Sequence, residues 1–323
     1  MEITHVNMEQ LGADAGVGGK NPCVATVGFF DGVHVGHRHL IRRMCAYASE
    51  RGLEAVVVTF ERHPRQVLDS DWQPKLLSSL EERTQMLAQT GIDRIAVLRF
   101  DRQMASLSAR DFMLRILKKR LGVNTLFTGY DNRFGHQRSE GFDDYVSYGR
   151  SMGMEVVRAD EVNADGLKVS SSTIRTYLTK GDVGKAAQCL GRPYSMSGTV
   201  VKGYHIGTDI GFPTANLQPD EPLKLIPAPG AYAVMVRVGD STTALPAMMN
   251  IGCRPTFDGD RQTLETHILH FDGDIYGQRM VVWWIQRLRD EQRFDSREAL
   301  VAQLRQDAEA AEQCLNNYPT NFD

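Results

Sequence analysis

The chain contains no run approaching the roughly 20 apolar residues that a membrane-spanning helix needs, and it does not open on a basic stretch followed by an apolar one. A cytoplasmic protein with no membrane partner is therefore expected. Cysteine is sparse: Cys23, Cys45, Cys189, Cys253 and Cys314 are odd in number, widely scattered and without a CxxC pair. That spacing excludes a disulfide framework and a zinc site, leaving reduced structural thiols. Neither sign of charge dominates, the net being -3, so no global basic field marks a nucleic-acid binder. A nucleotide substrate needs only local charge. Internal repeats and low-complexity tracts are missing too, which excludes a solenoid.

What is present suits two domains. A length of 323 residues exceeds the usual single core, and 42% apolar residues can fill a core in each half. From Val24 to about Ala159, short apolar runs alternate with helical patterns: CVATVGF, HLIRRMCAYASERG, EAVVVTF, LEERTQMLAQTG, RIAVLRF, ARDFMLRILKKRLG, NTLFTGY, FDDYVSYGRSMG and MEVVRA. This βαβα order predicts a Rossmann-like α/β domain, a parallel sheet with helices on both faces. Ligands of such sheets bind beyond the carboxyl ends of the strands, which here means the loops after Val27, Thr59, Phe100, Thr128 and Ala159.

Past Gly191 the text turns β-rich, with YSMSGTVVKGY, GAYAVMVRV, TALPAMMNIG, TLETHILHF and MVVWWIQRL in partial period-2 alternation. An all-β domain follows, an antiparallel closed barrel. In SREALVAQLRQDAEAAEQCL, Ser296 can cap a terminal helix on which Leu300, Leu304, Ala308 and Ala311 share one face. The expected division is residues 1–185 and 186–323.

Polar clusters fall where the fold puts ligands. GFFDGVHVGH, Gly28 to His37, leaves a strand and enters a helix, with Gly28, Gly32 and Gly36 allowing backbone to approach a phosphate chain beside His34 and His37. Transfer of AMP to a phosphate needs positioning and charge stabilisation more than covalent help, and imidazole donors at a helix N-terminus supply both. TFERHP ends the second strand, where Arg62 and His63 can face the same crevice. GYDNRFGHQRSEG mixes Asp131, Asn132, Arg133 and Phe134 with glycines, a composition suited to stacking a ring and holding a phosphate. VSSSTIR sets hydroxyls where a helix begins, with Arg175 adding a cation.

In the second half, GFPTANL offers the Thr214 hydroxyl and Asn216 amide oxygen, neutral ligands that can hold Mg²⁺ beside nucleotide phosphates. Glu265 lies on a strand between Leu264 and Thr266, where its carboxylate could point into the barrel mouth and take a proton from an attacking hydroxyl.

Taken in order, the clusters of residues 20–185 resemble the FMN adenylyltransferase module of bacterial bifunctional riboflavin kinase/FAD synthetases, members of the HxGH nucleotidyltransferase superfamily. The resemblance implies that His34 and His37 bind ATP phosphates within a loop that includes Gly28, Phe30, Asp31 and Gly36. It also implies Ser170, Ser171 and Arg175 near the triphosphate, and Asp131, Arg133 and Phe134 near the flavin. Residues 186–315, with PTAN, KLIPAPGAYAV, MNIGCRPTF, LETHILHFDGDIYG and LRDEQRFDS, resemble the riboflavin kinase domain. By that likeness Thr214 and Asn216 hold Mg²⁺, Glu265 is the general base, and Arg289 touches flavin. Gly203, Gly207, Gly211 and Pro213 belong to a nucleotide-covering loop.

The implied chemistry is riboflavin plus ATP to FMN and ADP, then FMN plus ATP to FAD and pyrophosphate. Three departures from the family pattern stand out: Ser172 for a threonine, Asn132 for a phenylalanine, and Thr208 for an arginine. HxGH alone leaves the acceptor open, since related transferases act on pantetheine phosphate or nicotinamide mononucleotide; the attached PTAN domain argues for FMN. A flavin-binding regulator with weakened catalysis would explain Thr208 and Asn132, but retention of His34, His37, Thr214, Asn216 and Glu265 argues against it.

Overall fold

Short runs without a polar face are strands covered on both sides. CVATV forms β2 (Cys23–Val27), buried along its whole length, and EAVVVTF and RIAVL form β3 (Glu54–Phe60) and β4 (Arg94–Leu98) in the same way. The computed structural model describes residues 1–6, 21–69, 71–129, 134–136, 140–159, 163–164, 167–202, 210–256, 259–316 and 318–320. With β5 (Val123–Thr128) and β6 (Glu155–Arg158), these strands build a parallel sheet. One strand was not expected. β1 (Glu2–Val6) joins β4 in parallel at the sheet's edge, and its EITHV sequence is mostly exposed, so it carries none of the apolar signal of the central strands.

The order β1-β4-β3-β2-β5-β6 puts β3, β4 and β1 on one side of β2 and β5 and β6 on the other. The chain therefore changes direction across the sheet between β2 and β5, the place where such sheets open a crevice at their carboxyl ends. Side-chain alternation splits the core in two. Ala25, Val27, Val56 and Val58 pack on α5 (Ala109–Phe112), its π-helical continuation (Met113–Arg120) and α6 (Phe142–Ser151), whose Phe112, Ile116 and Tyr145 face them. Val24, Val57, Ile95 and Val97 pack on the other face against Ile41, Met44 and Leu87. Those three belong to α1 (Val35–Arg51) and α3 (Leu80–Ala88). The short helices α2 (Pro64–Leu68) and α4 (Arg102–Ala105) follow strand ends, and β7 (Asn163–Ala164) pairs with β8 (Leu167–Lys168) in a small antiparallel ladder.

By internal contacts the chain forms two units, Met1–Val169 and Ser170–Asp323. The second begins with α7 (Ser171–Thr179) and α8 (Val183–Leu190), so the division expected at residues 185 and 186 falls inside α8. The end of α7 is tied to the barrel side: Ala228 N–H donates to Leu178 O at 3.0 Å, and Arg287, which also donates to the Pro229 carbonyl at 2.6 Å, reaches the Lys180 carbonyl at 3.5 Å. Six strands follow: β9 (Tyr194–Val201), β10 (Ala215–Pro219), β11 (Gly230–Val238), β12 (Leu245–Thr256), β13 (Gly259–Ile268) and β14 (Arg279–Arg289).

They close into an antiparallel barrel in the order β10-β13-β12-β11-β14-β9, with β9 and β10 sealing it. Tyr232, Val234, Ile251, Val282 and Trp284 are fully buried inside. On the opposite face of the wall, Ala233, Met235, Met248 and Trp283 pack against Ala311 and Leu315 of the terminal helix α9 (Arg297–Leu315), which Ser296 caps by accepting from Ala299 N–H at 3.1 Å. The α/β plus barrel architecture read from the sequence is the one observed, terminal helix included. Among the described residues no helix is long and apolar enough to cross a membrane.

Candidate functional site

The loop leaving β2 is a strained turn held from outside. Phe30 and Val33 adopt positive φ angles of 55° and 38°, and a β-branched residue in that region is costly unless its surroundings fix it. Asp31, 3% exposed, does the fixing. Its carboxylate accepts from the Leu77 N–H at 3.0 Å, the Ser78 N–H at 3.0 Å and the Ser78 hydroxyl at 3.0 Å. The Ser78 oxygen in turn accepts from Gly32 N–H at 2.9 Å. Asp31 is thus a tie between two loops. Asp31→Ala would orphan three buried donors and is expected to cost the first unit about 3 kcal/mol. A calorimetric melt of that unit unchanged from wild type would refute this.

Out of the turn, His34 caps α1: its Nδ1 accepts from the His37 N–H at 3.3 Å. A neutral His34 therefore carries its proton on Nε2. His34 and His37 stack at 3.5 Å between centroids and 18° between planes, and Phe30 meets His37 edge-on at 5.1 Å. Gly36 permits this, since a Cβ there would stand 3.3 Å from the His34 ring. At Gly28 a Cβ would lie 2.9 Å from the Phe30 ring. Burial, and then the neighbouring His34, hold His37 well below the usual imidazole value. His37 Nδ1 is buried and has no partner among the described residues. The result is two stacked imidazoles, His37 held neutral, at a helix N-terminus beside the crevice between β2 and β5.

Beyond them runs a ladder of rings. His63 caps α2 through Nδ1, which accepts from Arg65 N–H at 3.2 Å, and its ring contacts Phe29 at 4.8 Å and Trp72 at 4.7 Å. Arg83 lies over Phe29 at 4.1 Å and donates to the Phe60 carbonyl at 2.6 Å. Arg83 was missed in the sequence, although it stands in the Leu80, Arg83, Leu87 stripe where α3 turns to the core. Burial pushes its guanidinium down to about 10, with the Asp31 charge opposing. Phe134, half-buried, packs against the core, stacked on Tyr145 at 4.3 Å with its backbone N–H donating to the Tyr145 oxygen at 3.0 Å. Asp131, Asn132 and Arg133 lie outside the described residues. In the second unit, Ser170 caps α7, accepting from Thr173 N–H at 3.1 Å; Ser171 begins that helix and Arg175 lies within it.

The barrel gathers its polar residues in one row. Asn216 pairs with Glu265, Glu265 with Asn250, Asn250 with Ala231, and Ala231 with Arg289, across β10, β13, β12, β11 and β14. Directly paired residues share a face, so Asn216, Glu265 and Asn250 stand side by side. That face is the one bearing Met248 and turned to α9. Glu265 accordingly points not into the barrel, where Leu264 and Thr266 are buried, but to the wall beneath the terminal helix. There a cavity of about 260 Å³ is lined by Thr214, Asn250, Glu265, Arg289 and the helix residues Leu304 and Asp307. A second cavity of about 110 Å³ adjoins it at Thr214, walled by Pro213, Ala215, Phe271, Ile275 and Tyr276.

The PTAN backbone is pinned by His267, whose Nδ1–H donates to the Pro213 carbonyl at 2.8 Å, while Phe212 packs on its ring at 5.2 Å. Gly211 makes the preceding turn at φ 81°. Gly203, Gly207 and Thr208 lie outside the described residues. Arg289 lines the larger cavity but has a fixed partner, Asp307. Asn250, His267 and Asp307 escaped the sequence reading. Thr214, Asn216 and Glu265 are hard oxygen donors on adjacent strands, and no group of three His, Cys, Asp or Glu among the described residues could hold a metal unaided. The set fits Mg²⁺ shared with phosphate oxygens.

Comparison with known proteins adds the family. Residues 18–173 match the FAD synthetase model and residues 190–315 the riboflavin kinase model. The bifunctional riboflavin kinase/FMN adenylyltransferase of Pseudomonas fluorescens is 40% identical over 90% of this chain and 92% of its own. That of Escherichia coli K12 is 38% identical over 88% and 90%. A Streptococcus pneumoniae crystal structure, named a macrolide-efflux protein, superposes with a TM-score of 0.86 at 31% identity, over 99% of this chain and 100% of that one. On these matches, with both domains in one chain, the protein belongs to the bifunctional riboflavin kinase/FMN adenylyltransferases.

Proposed function

We propose that the barrel unit phosphorylates riboflavin and the α/β unit adenylylates the FMN produced, both in the cytoplasm and both at the expense of ATP. The observation that carries the kinase reading is the row Asn216, Glu265, Asn250 beside Thr214, where two cavities meet. Riboflavin occupies the larger cavity with its ribityl 5′-hydroxyl toward Glu265, and ATP extends from the smaller one with its phosphates over Thr214. Glu265 accepts the hydroxyl proton as the oxygen attacks the γ-phosphorus, and ADP leaves. Thr214 and Asn216 would hold Mg²⁺, which supplies neutralisation of the phosphate charge when bound. Asn250, next to Glu265 in register, orients the carboxylate or the hydroxyl by hydrogen bonding.

In the first unit, the attacking FMN phosphate is already an anion, so the chain's task is to bind the triphosphate and spread the charge that develops on the α-phosphate and pyrophosphate. His34 Nε2–H, neutral His37 and the N-terminus of α1 are suited to it. Asp131 and Arg133 are assigned to flavin binding. Incubating the full chain with riboflavin, ATP and Mg²⁺ should give FMN and then FAD. FMN that accumulates without FAD would defeat the adenylyltransferase reading, and FAD from supplied FMN without riboflavin turnover would defeat the kinase reading.

A further inference from the structure

Arg289 is built into the wall of the larger cavity with unusual completeness. Its Nε–H donates to both Asp307 oxygens at 3.0 Å, one Nη2–H to Asp307 Oδ2 at 2.7 Å, and one Nη1–H to the Asp290 carbonyl at 2.9 Å. Asp307 is 4% exposed and also receives the Gln303 side-chain amide at 3.0 Å on Oδ1. Asp307 is thus a buried carboxylate on the inward face of α9, and the strand and the helix are locked through it. Three of the five guanidinium N–H groups are used in this way, leaving one on Nη1 and one on Nη2.

The charge balance decides what those two donors can recognise. Asp307 cancels the guanidinium charge within the pair, so this wall has no net cation to offer a phosphate. What remains is a rigid planar pair of hydrogen-bond donors beside an apolar surface formed by Leu300, Leu304, Phe294 and Met248. A neutral planar ring with carbonyl oxygens on one edge is complementary to that surface, and an anion is not. We propose that Asp307, with Gln303, is a positioning residue for riboflavin: it holds Arg289 so that its two free N–H groups read the carbonyl edge of the isoalloxazine ring. The terminal helix is then part of the kinase site and not only its cover. This inference rests on the assignment of the larger cavity to riboflavin.

The test uses the full chain, with steady-state kinetics varying riboflavin and ATP separately, and FMN adenylylation and thermal melting as controls. Asp307→Asn should raise the riboflavin KM about tenfold, with a smaller effect on kcat and none on the ATP KM. The double variant Arg289→Met with Asp307→Leu leaves no uncompensated charge and keeps the packing. It should melt near the wild-type temperature yet show the same rise in riboflavin KM. A double variant with wild-type riboflavin KM would reduce the pair to packing and overturn the proposal. Should the double variant unfold the barrel, riboflavin fluorescence quenching by Arg289→Lys decides, since lysine keeps the ion pair but loses the planar fork. An unchanged Kd there overturns the proposal, and a weakened one supports it. Failure of the wild-type chain to make FMN would instead defeat the functional assignment beneath it.

Discussion

Replacing Glu265 with alanine is expected to abolish FMN formation from riboflavin while FAD formation from supplied FMN continues at the wild-type rate. In the proposed reaction the carboxylate accepts the proton of the 5′-hydroxyl, and a positioned base is worth roughly 10² to 10⁴ in rate. Glu265 is flanked in its row by Asn216 and Asn250, whose amides hydrogen-bond but cannot take the proton. Glu265→Gln should therefore lose nearly as much as alanine, although it restores the shape and the hydrogen bonds. Chromatographic separation of riboflavin, FMN and FAD in one assay reads both activities. FMN formation by Glu265→Gln within about threefold of wild type would remove Glu265 from the chemistry.

How much of this was legible in the sequence follows from where each signal resides. The central strands and α1 announce themselves because their apolar residues lie within one short window, and GFFDGVHVGH and PTAN are contiguous. β1 announces nothing, because an exposed edge strand has no buried face to pattern. Asn250 is an unremarkable asparagine until the pairing of β12 with β13 sets it opposite Glu265. Asp307 reads as one more charge on an amphipathic helix, and only its partner on β14 shows that it faces inward. Arg289 was singled out, yet its locked geometry depends on a residue 18 positions away. Glu265 was found but placed on the wrong side of the wall: alternation says that Leu264 and Thr266 face away from it, and only the barrel's closure says which of the two sides is the interior.

The reverse separation is expected from the first unit. His37→Ala should reduce FAD formation from FMN by about 10² or more, the usual cost of losing one donor aimed at developing charge, with FMN formation unaffected. The stacking of His37 on His34 and its contact with Phe30 add a second effect, because removing the ring also loosens the His34 side chain that the proposed reaction uses. His37→Asn separates the two, since it offers an amide donor without the ring: a partial return of activity favours hydrogen bonding, and none favours the stack. The wild-type ring also sets a pH limit. Its folded pKa is depressed, so above about 6.5 neither the folded nor the unfolded chain protonates it and its contribution to stability is fully present. Below about 6.5 the unfolded chain takes up a proton that the folded one refuses, and stability falls until the depressed folded value is reached. The first unit of the wild type should therefore lose melting temperature between pH 6.5 and 5 more steeply than His37→Ala does. Parallel melting curves for the two proteins over that range would mean that His37 is not held neutral and would present a cation to the triphosphate rather than a neutral ring.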